Sequence, residues 1–183
     1  ALGQVSKVLA QEQEDRDTAD VMKARNEIMT SLTEQLYGEN GLFVTGVGEN
    51  AKGLIERTTA AIHKTYDEIS KNYNGRVRFA LQGNLNENMS NFQRIAASKE
   101  MAEQKAVEKA TFDANLSTNA QQAALTWNVN GAPTMYVQNG DTLVLAYAKK
   151  EGWSGAQLGK ERQSMVTNIA AAAAGAAVES EDY

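Results

Sequence analysis

The sequence predicts an all-α protein, an elongated bundle of long helices joined by a glycine-rich loop, from three observations. Residues 76–128 contain no proline and a single glycine, Gly83, so roughly fifty residues run without a helix breaker. Apolar side chains recur three and four positions apart through most of the chain, the spacing that lines one face of a helix. The chain is 42% hydrophobic but only 7% aromatic. Its apolar side chains are mostly Ala, Leu, Val and Ile, which suit thin helix-on-helix seams better than a sandwich or barrel.

The elements follow in order. A first helix spans residues 5–37, with Val21, Ala24/Arg25, Ile28, Leu32 and Leu36 along one face. The polar run Gln11-Glu12-Gln13-Glu14-Asp15-Arg16-Asp17 reads as a solvated part of that helix, with a bend as the alternative. Tyr37-Gly38 stops it, because glycine accepts the left-handed conformation past a helix end. Gly38, Gly41, Gly46, Gly48 and Gly53 then crowd a loop carrying Leu42, Phe43, Val44 and Val47, expected to tuck onto neighbouring helices. Gly46-Val47-Gly48 superficially matches a dinucleotide loop, but no strand precedes it and the third glycine of that motif is missing.

From 50 to 73, Leu54, Thr58, Ile62, Tyr66, Ile69 and Tyr73 mark a second helix, closed by the turn signal Asn74-Gly75. The stretch 76–128 carries one long stripe: Leu81, Leu85, Met89 (or Asn88), Phe92, Ile95/Ala96, Ala102, Ala106, Ala110, Leu116, Ala120, Ala123 and Trp127. At 1.5 Å per residue it would be roughly 75 Å long, and such helices need partners to bury their seams. Residues 134–146 are ambiguous. Asn139-Gly140-Asp141 between two apolar runs signals a small β-hairpin, whereas Pro133 and Lys149-Lys150-Glu151-Gly152-Trp153 read as a helix start and stop. Ser154-Gly155-Ala156-Gln157 matches a capping box. It opens a last helix through Leu158, Met165 and Ile169 into an alanine tract, and Glu179 to Tyr183 reads as a frayed acidic end.

Composition removes several chemistries. Without cysteine there is no disulfide, thiolate ligand or Cys nucleophile. A lone histidine, His63, lies one step off its helix's apolar series and reads as a surface residue. A net charge of −5 and a pI near 5.0 disfavour gripping nucleic-acid phosphates. Glu100, Glu103 and Glu108 alternate with Lys99, Lys105 and Lys109, which reads as solvated pairing worth about 0.3 kcal/mol each. The longest apolar run, residues 169–178, falls short of the roughly 20 residues a bilayer requires. The N-terminus lacks the basic and apolar regions of a signal peptide. Because the first residue is not Met, the chain is expected to be processed or part of a longer one.

The strings Asp20-Val21 with Ala24-Arg25, Asn40-Gly41-Leu42-Phe43 with Gly46-Val47-Gly48-Glu49-Asn50-Ala51-Lys52-Gly53-Leu54, and the Asn/Gln-rich helix with Arg94 and Glu100 resemble the internal virion (ejection) proteins of short-tailed bacteriophages. Leu125-Thr126-Trp127-Asn128 and Lys150-Glu151-Gly152-Trp153-Ser154 with Gln157, Ser164 and Ile169 continue the pattern, which spans residues 15–177. The resemblance implies a helical, oligomeric virion protein that leaves the capsid with the genome and forms a tube across the host envelope. It implies as partners further copies of the chain, portal, core or tail proteins, DNA passing without sequence-specific binding, and the host envelope. It also favours helix at 134–146. Some members of the family carry a lytic transglycosylase region, but no matching catalytic motif occurs here.

The expectation is therefore a single elongated helical region over residues 1–183, part of a longer chain or assembly, acting as a structural, non-enzymatic component. Leu81, Leu85, Phe92, Ile95, Leu116, Trp127 and Trp153 are the expected oligomer and packing interface, and no catalytic, cofactor or metal residue is assigned. A helical adaptor or filament subunit of a bacterial secretion or surface assembly is the alternative, and a cell-wall lytic transglycosylase fragment the third reading.

Overall fold

A computed structural model describes residues 2–181, with side chains from 4 to 180. The described residues form helices and no strand: α1 (Leu2–Tyr37), α2 (Leu42–Thr45), a 3-10 turn (Gly48–Ala51), α3 (Leu54–Ser70), α4 (Gly75–Leu125), α5 (Ala132–Glu151) and α6 (Gly155–Glu181). The all-α expectation holds. The chain divides into two compact units, Ala1–Val107 and Glu108–Tyr183, with the boundary inside α4.

In the first unit the helices follow from their apolar rows. Ala24, Ile28, Leu32 and Leu36 recur every four residues on α1 and are fully buried. They meet Leu54, Ile62 and Tyr66 of α3 and Val77, Leu81, Phe92 and Ala96 of α4 in one core. The polar run at 11–17 stays helical because its side chains pair along the helix surface. Gln11 donates to Asp15 at 3.0 Å, Gln13 to Asp17 at 2.9 Å, and Arg16 faces Glu12 at 3.6 Å. Asn74 does more than end a turn. Its side-chain oxygen accepts the N–H groups of Arg76 and Val77 at 2.9 and 3.1 Å, capping α4. Its amide donates to Asp17 at 2.8 Å, and Tyr73 donates to Glu27 at 3.0 Å, so the α3–α4 turn is stitched to α1.

The second unit has its own core of Phe112, Ala123, Val144, Met165 and Ile169, contributed by the end of α4, α5 and α6. Residues 134–146 lie inside α5, so the β-hairpin alternative does not form. Asn139-Gly140-Asp141 carries out a different task from the turn it suggests. Gly140 is buried where α5 meets α6, and a Cβ there would lie 2.7 Å from Met165 Sδ and 3.3 Å from Ile169 Cδ1. Asp141 receives Arg162 of α6 through two hydrogen bonds of 2.5 and 2.9 Å. Both residues that suggest a turn thus serve helix packing. Pro133 sits in the first turn of α5, and Gly152 ends it at φ +66°. The Trp153 N–H then reaches back to Ala148 at 3.0 Å, the helix stop read from this segment. Of the capping box, the Ser154 hydroxyl accepts the Gln157 N–H at 3.2 Å.

The stripe expected along 76–128 resolves into two rows. Leu81, Leu85, Met89, Phe92 and Ala96 belong to the first core; Phe112, Leu116, Ala120 and Ala123 belong to the second. Ala102, Ala106 and Ala110 between them are exposed.

The close approach at Gly140 sets a measurable expectation. Gly140→Leu should destabilise the second unit by about 1–3 kcal/mol through overpacking. Gly140→Ala should be near neutral, because removing glycine from a helix interior gains up to about 1 kcal/mol against displacement of Met165. Urea unfolding followed by tryptophan fluorescence reads this directly, since Trp127 and Trp153 both lie in that unit.

Candidate functional site

The seven expected interface residues land in different surroundings. Leu81 and Phe92 are buried and Leu85 half-buried in the first core, so their own chain covers them. Ile95 is exposed by 39%. Leu116 and Trp153 are half-buried against the second core, and Trp127 is half-buried. Trp153 is an aromatic anchor: its ring lies edge-on to Tyr147 at 5.4 Å and to Phe112 at 6.2 Å, while those two stack at 4.3 Å. Phe79 and Leu125, absent from the expected set, are instead the most exposed large apolar side chains described, at 76% and 75%.

The most specific polar constellation joins α4 to the glycine-rich segment. Its origin lies in α3. The residue before that helix is Gly53, in the left-handed conformation (φ +74°), with no side chain to satisfy the first N–H groups. Glu100 supplies the acceptor from another helix: Oε1 accepts the Gly53 N–H at 2.9 Å and Oε2 that of Ile55 at 3.3 Å. Three residues on, nearly one helical turn, Glu103 Oε2 accepts the Gly48 N–H at 2.8 Å. The Gly53 N–H, with those of Ile55 and Leu54 and the nearby Arg57 guanidinium, holds the Glu100 carboxyl below the usual range against a smaller opposing effect of burial. Glu103 is lowered chiefly by the Gly48 N–H and further by Lys99, 3.4 Å away.

These carboxylates correct the reading of α4 as a wholly solvated charge face. Glu103 does pair with Lys99 and Lys109 with Asp113 (2.6 Å) along the helix, as that reading expects, but Glu108 bonds Lys150 of α5 at 2.6 Å. The signal that could have exposed Glu100 was Gly53, a helix start with no capping side chain. The segment itself is only partly tucked in. Phe43 is buried and Leu42 half-buried, while Val44 and Val47 are about half exposed.

Two other polar groups help define what the surface can do. Tyr66 donates to Asn84 at 2.6 Å and accepts from the buried Asn88 at 2.7 Å, and burial pushes its phenol upward. This satisfied network fixes the α3–α4 register. In the second unit a cleft of about 370 Å³ between α4 and α6 is lined by Asp113, Ser117, Glu161, Ser164 and Asn168. Asp113 there is already paired with Lys109. His63 is exposed, as expected. Among the described residues no three His, Asp or Glu side chains gather as a metal site, and no helix is long and apolar enough to cross a membrane.

Two outcomes follow from the clasp. Gly53→Ala should cost about 1 kcal/mol, because only glycine adopts that φ without steric strain; chemical denaturation measures it. Glu100, Glu103 and Asp17, the last lowered chiefly by the Asn74 amide, all have depressed folded values. Their stabilisation is present above the ordinary 4.5 and 3.8 and is lost as pH falls through the folded values. Urea midpoints should therefore drop in acid, and the Glu100→Gln/Glu103→Gln double variant should be weaker at neutral pH with a flatter acid profile.

No family model, no curated protein and no solved structure matches this chain, so its function is argued from its residues.

Proposed function

We propose that this chain is a structural bacteriophage internal virion (ejection) protein that self-associates into a helical core or channel for genome delivery across the host envelope. The observation that carries the reading is apolar surface left over once both cores are filled. Phe79 and Leu125 on α4 are three-quarters exposed, and Met22 of α1 and Met101 of α4 are exposed by 63% and 61%. Large apolar side chains kept on long helices are what a subunit buries against neighbouring copies. The sequence strings across residues 15–177 that resemble the ejection proteins support the same assignment.

Light scattering of the full chain at micromolar concentration tests the reading. The expected result is a concentration-dependent oligomer that Phe79→Glu and Leu125→Glu shift towards monomer without loss of helix content by circular dichroism. A strictly monomeric particle overturns it. Electron microscopy of the assembly separates a closed ring or tube from the open filament of a secretion or surface appendage.

A further inference from the structure

We propose that residues 46–53 form an acid-releasable strap, fastened to α4 by Glu100 and Glu103, that can leave α4 while α1, α3 and α4 of its unit stay packed. The segment lies between two apolar anchors, Phe43 and Leu54, both buried. Between those anchors Ala51 is the buried apolar side chain, and Val47 is half exposed. Little hydrophobic burial therefore opposes its opening, which places it at the low-stability end of the unit. Two of its glycines, Gly48 and Gly53, already occupy left-handed backbone conformations and can absorb the change of direction.

What fastens it is polar. The strap's Gly48 and Gly53 N–H groups reach two carboxylates one turn apart, and the Ile55 N–H at the start of α3 shares Glu100 with Gly53. A carboxylate accepts these bonds fully only when ionised, and protonating both removes the acceptors' charge together. The charged and polar groups facing the pair are few. On α4, Lys99 lies 3.4 Å from Glu103 and the Gln104 amide 3.4 Å from Glu100. On α3, Arg57 favours the Glu100 anion, and Glu56 lies within 3.7 Å of where a Gly53 Cβ would stand. Arg57 also donates to the carbonyls of Asn50, Lys52 and Gly53. Being always protonated, it keeps residues 50–53 with α3 in acid. Release is therefore from α4 alone, and it uncovers the α4 surface from Glu100 to Glu103. The lowered values of both carboxylates place the transition below the ordinary glutamate range.

Amide hydrogen exchange on the full chain, corrected for the intrinsic pH dependence of exchange, tests this. Glu103→Gln should lower protection at Gly48 at neutral pH by about fivefold or more. Leu32 of α1 and Ile62 of α3 should keep theirs. Unchanged protection at Gly48, or an equal loss at all three positions, overturns the strap. Should the variant fold poorly, the wild-type chain is titrated by NMR. Gly48 and Gly53 amide signals moving with the Glu100 and Glu103 carboxyls below pH 4.5, ahead of global unfolding, support it. No movement until the whole unit unfolds overturns it.

Discussion

Ala24, Ile28, Leu32 and Leu36 are the row on which the first unit is built. A 36-residue helix such as α1 is held in water by what packs on one face, because backbone hydrogen bonds trade against those with water. These four side chains are fully buried, and α3 and α4 turn their own rows towards them. Continued towards the N-terminus, the same four-residue step meets Asp20, Arg16 and Glu12 instead, and there α1 is held by pairs along its own surface. The apolar row therefore decides where α1 becomes part of a core. The turn stitches from Asn74 to Asp17 and from Tyr73 to Glu27 fall on either side of the row's start at Ala24.

Much of this was legible because helix periodicity is a local signal. The rows on α1 and α3, the stop at Gly38, the helix end at Gly152-Trp153 and the start at Ser154 all appear within a few positions of where the pattern puts them. What the pattern misread depends on contacts between segments distant in sequence. Asn139-Gly140-Asp141 has the composition of a hairpin turn. Its glycine gives room for Met165 and its aspartate a partner for Arg162, and neither α6 residue is visible in a local window. The stripe along α4 was drawn as one because spacing shows period, not which neighbours fill it. Only the packing separates Leu81–Ala96 from Phe112–Ala123.

The acidic residues of α4 show the same limit from the other side. By spacing, Glu100 and Glu103 look like any exposed i,i+4 pair, and Glu103 does form one with Lys99. Their second role comes from α3, whose start at Gly53 leaves N–H groups without a local acceptor. α4 and α6 begin with an acceptor close in sequence, Asn74 and Ser154, whereas α2, α3 and α5 begin at glycines that offer no capping side chain. The cap of α3 is supplied at a distance of more than forty residues, so the beginning of one helix depends on the docking of another. Capping, normally a local matter, has become a tertiary contact.

The two units solve the same shortage of apolar bulk differently. The first spreads aliphatic side chains over three long rows and adds backbone-to-carboxylate bonds where side-chain burial runs thin. The second concentrates its aromatic rings, Phe112, Tyr147 and Trp153, in one cluster and lets α5 and α6 approach closely through Gly140. Both solutions fill their own cores without drawing in Phe79, Met101 or Leu125. Those side chains lie on the longest helix of the chain and stay exposed once both cores are filled. The self-association proposed above would cover them with the same surfaces of further copies, so that one complementary contact serves every copy at once.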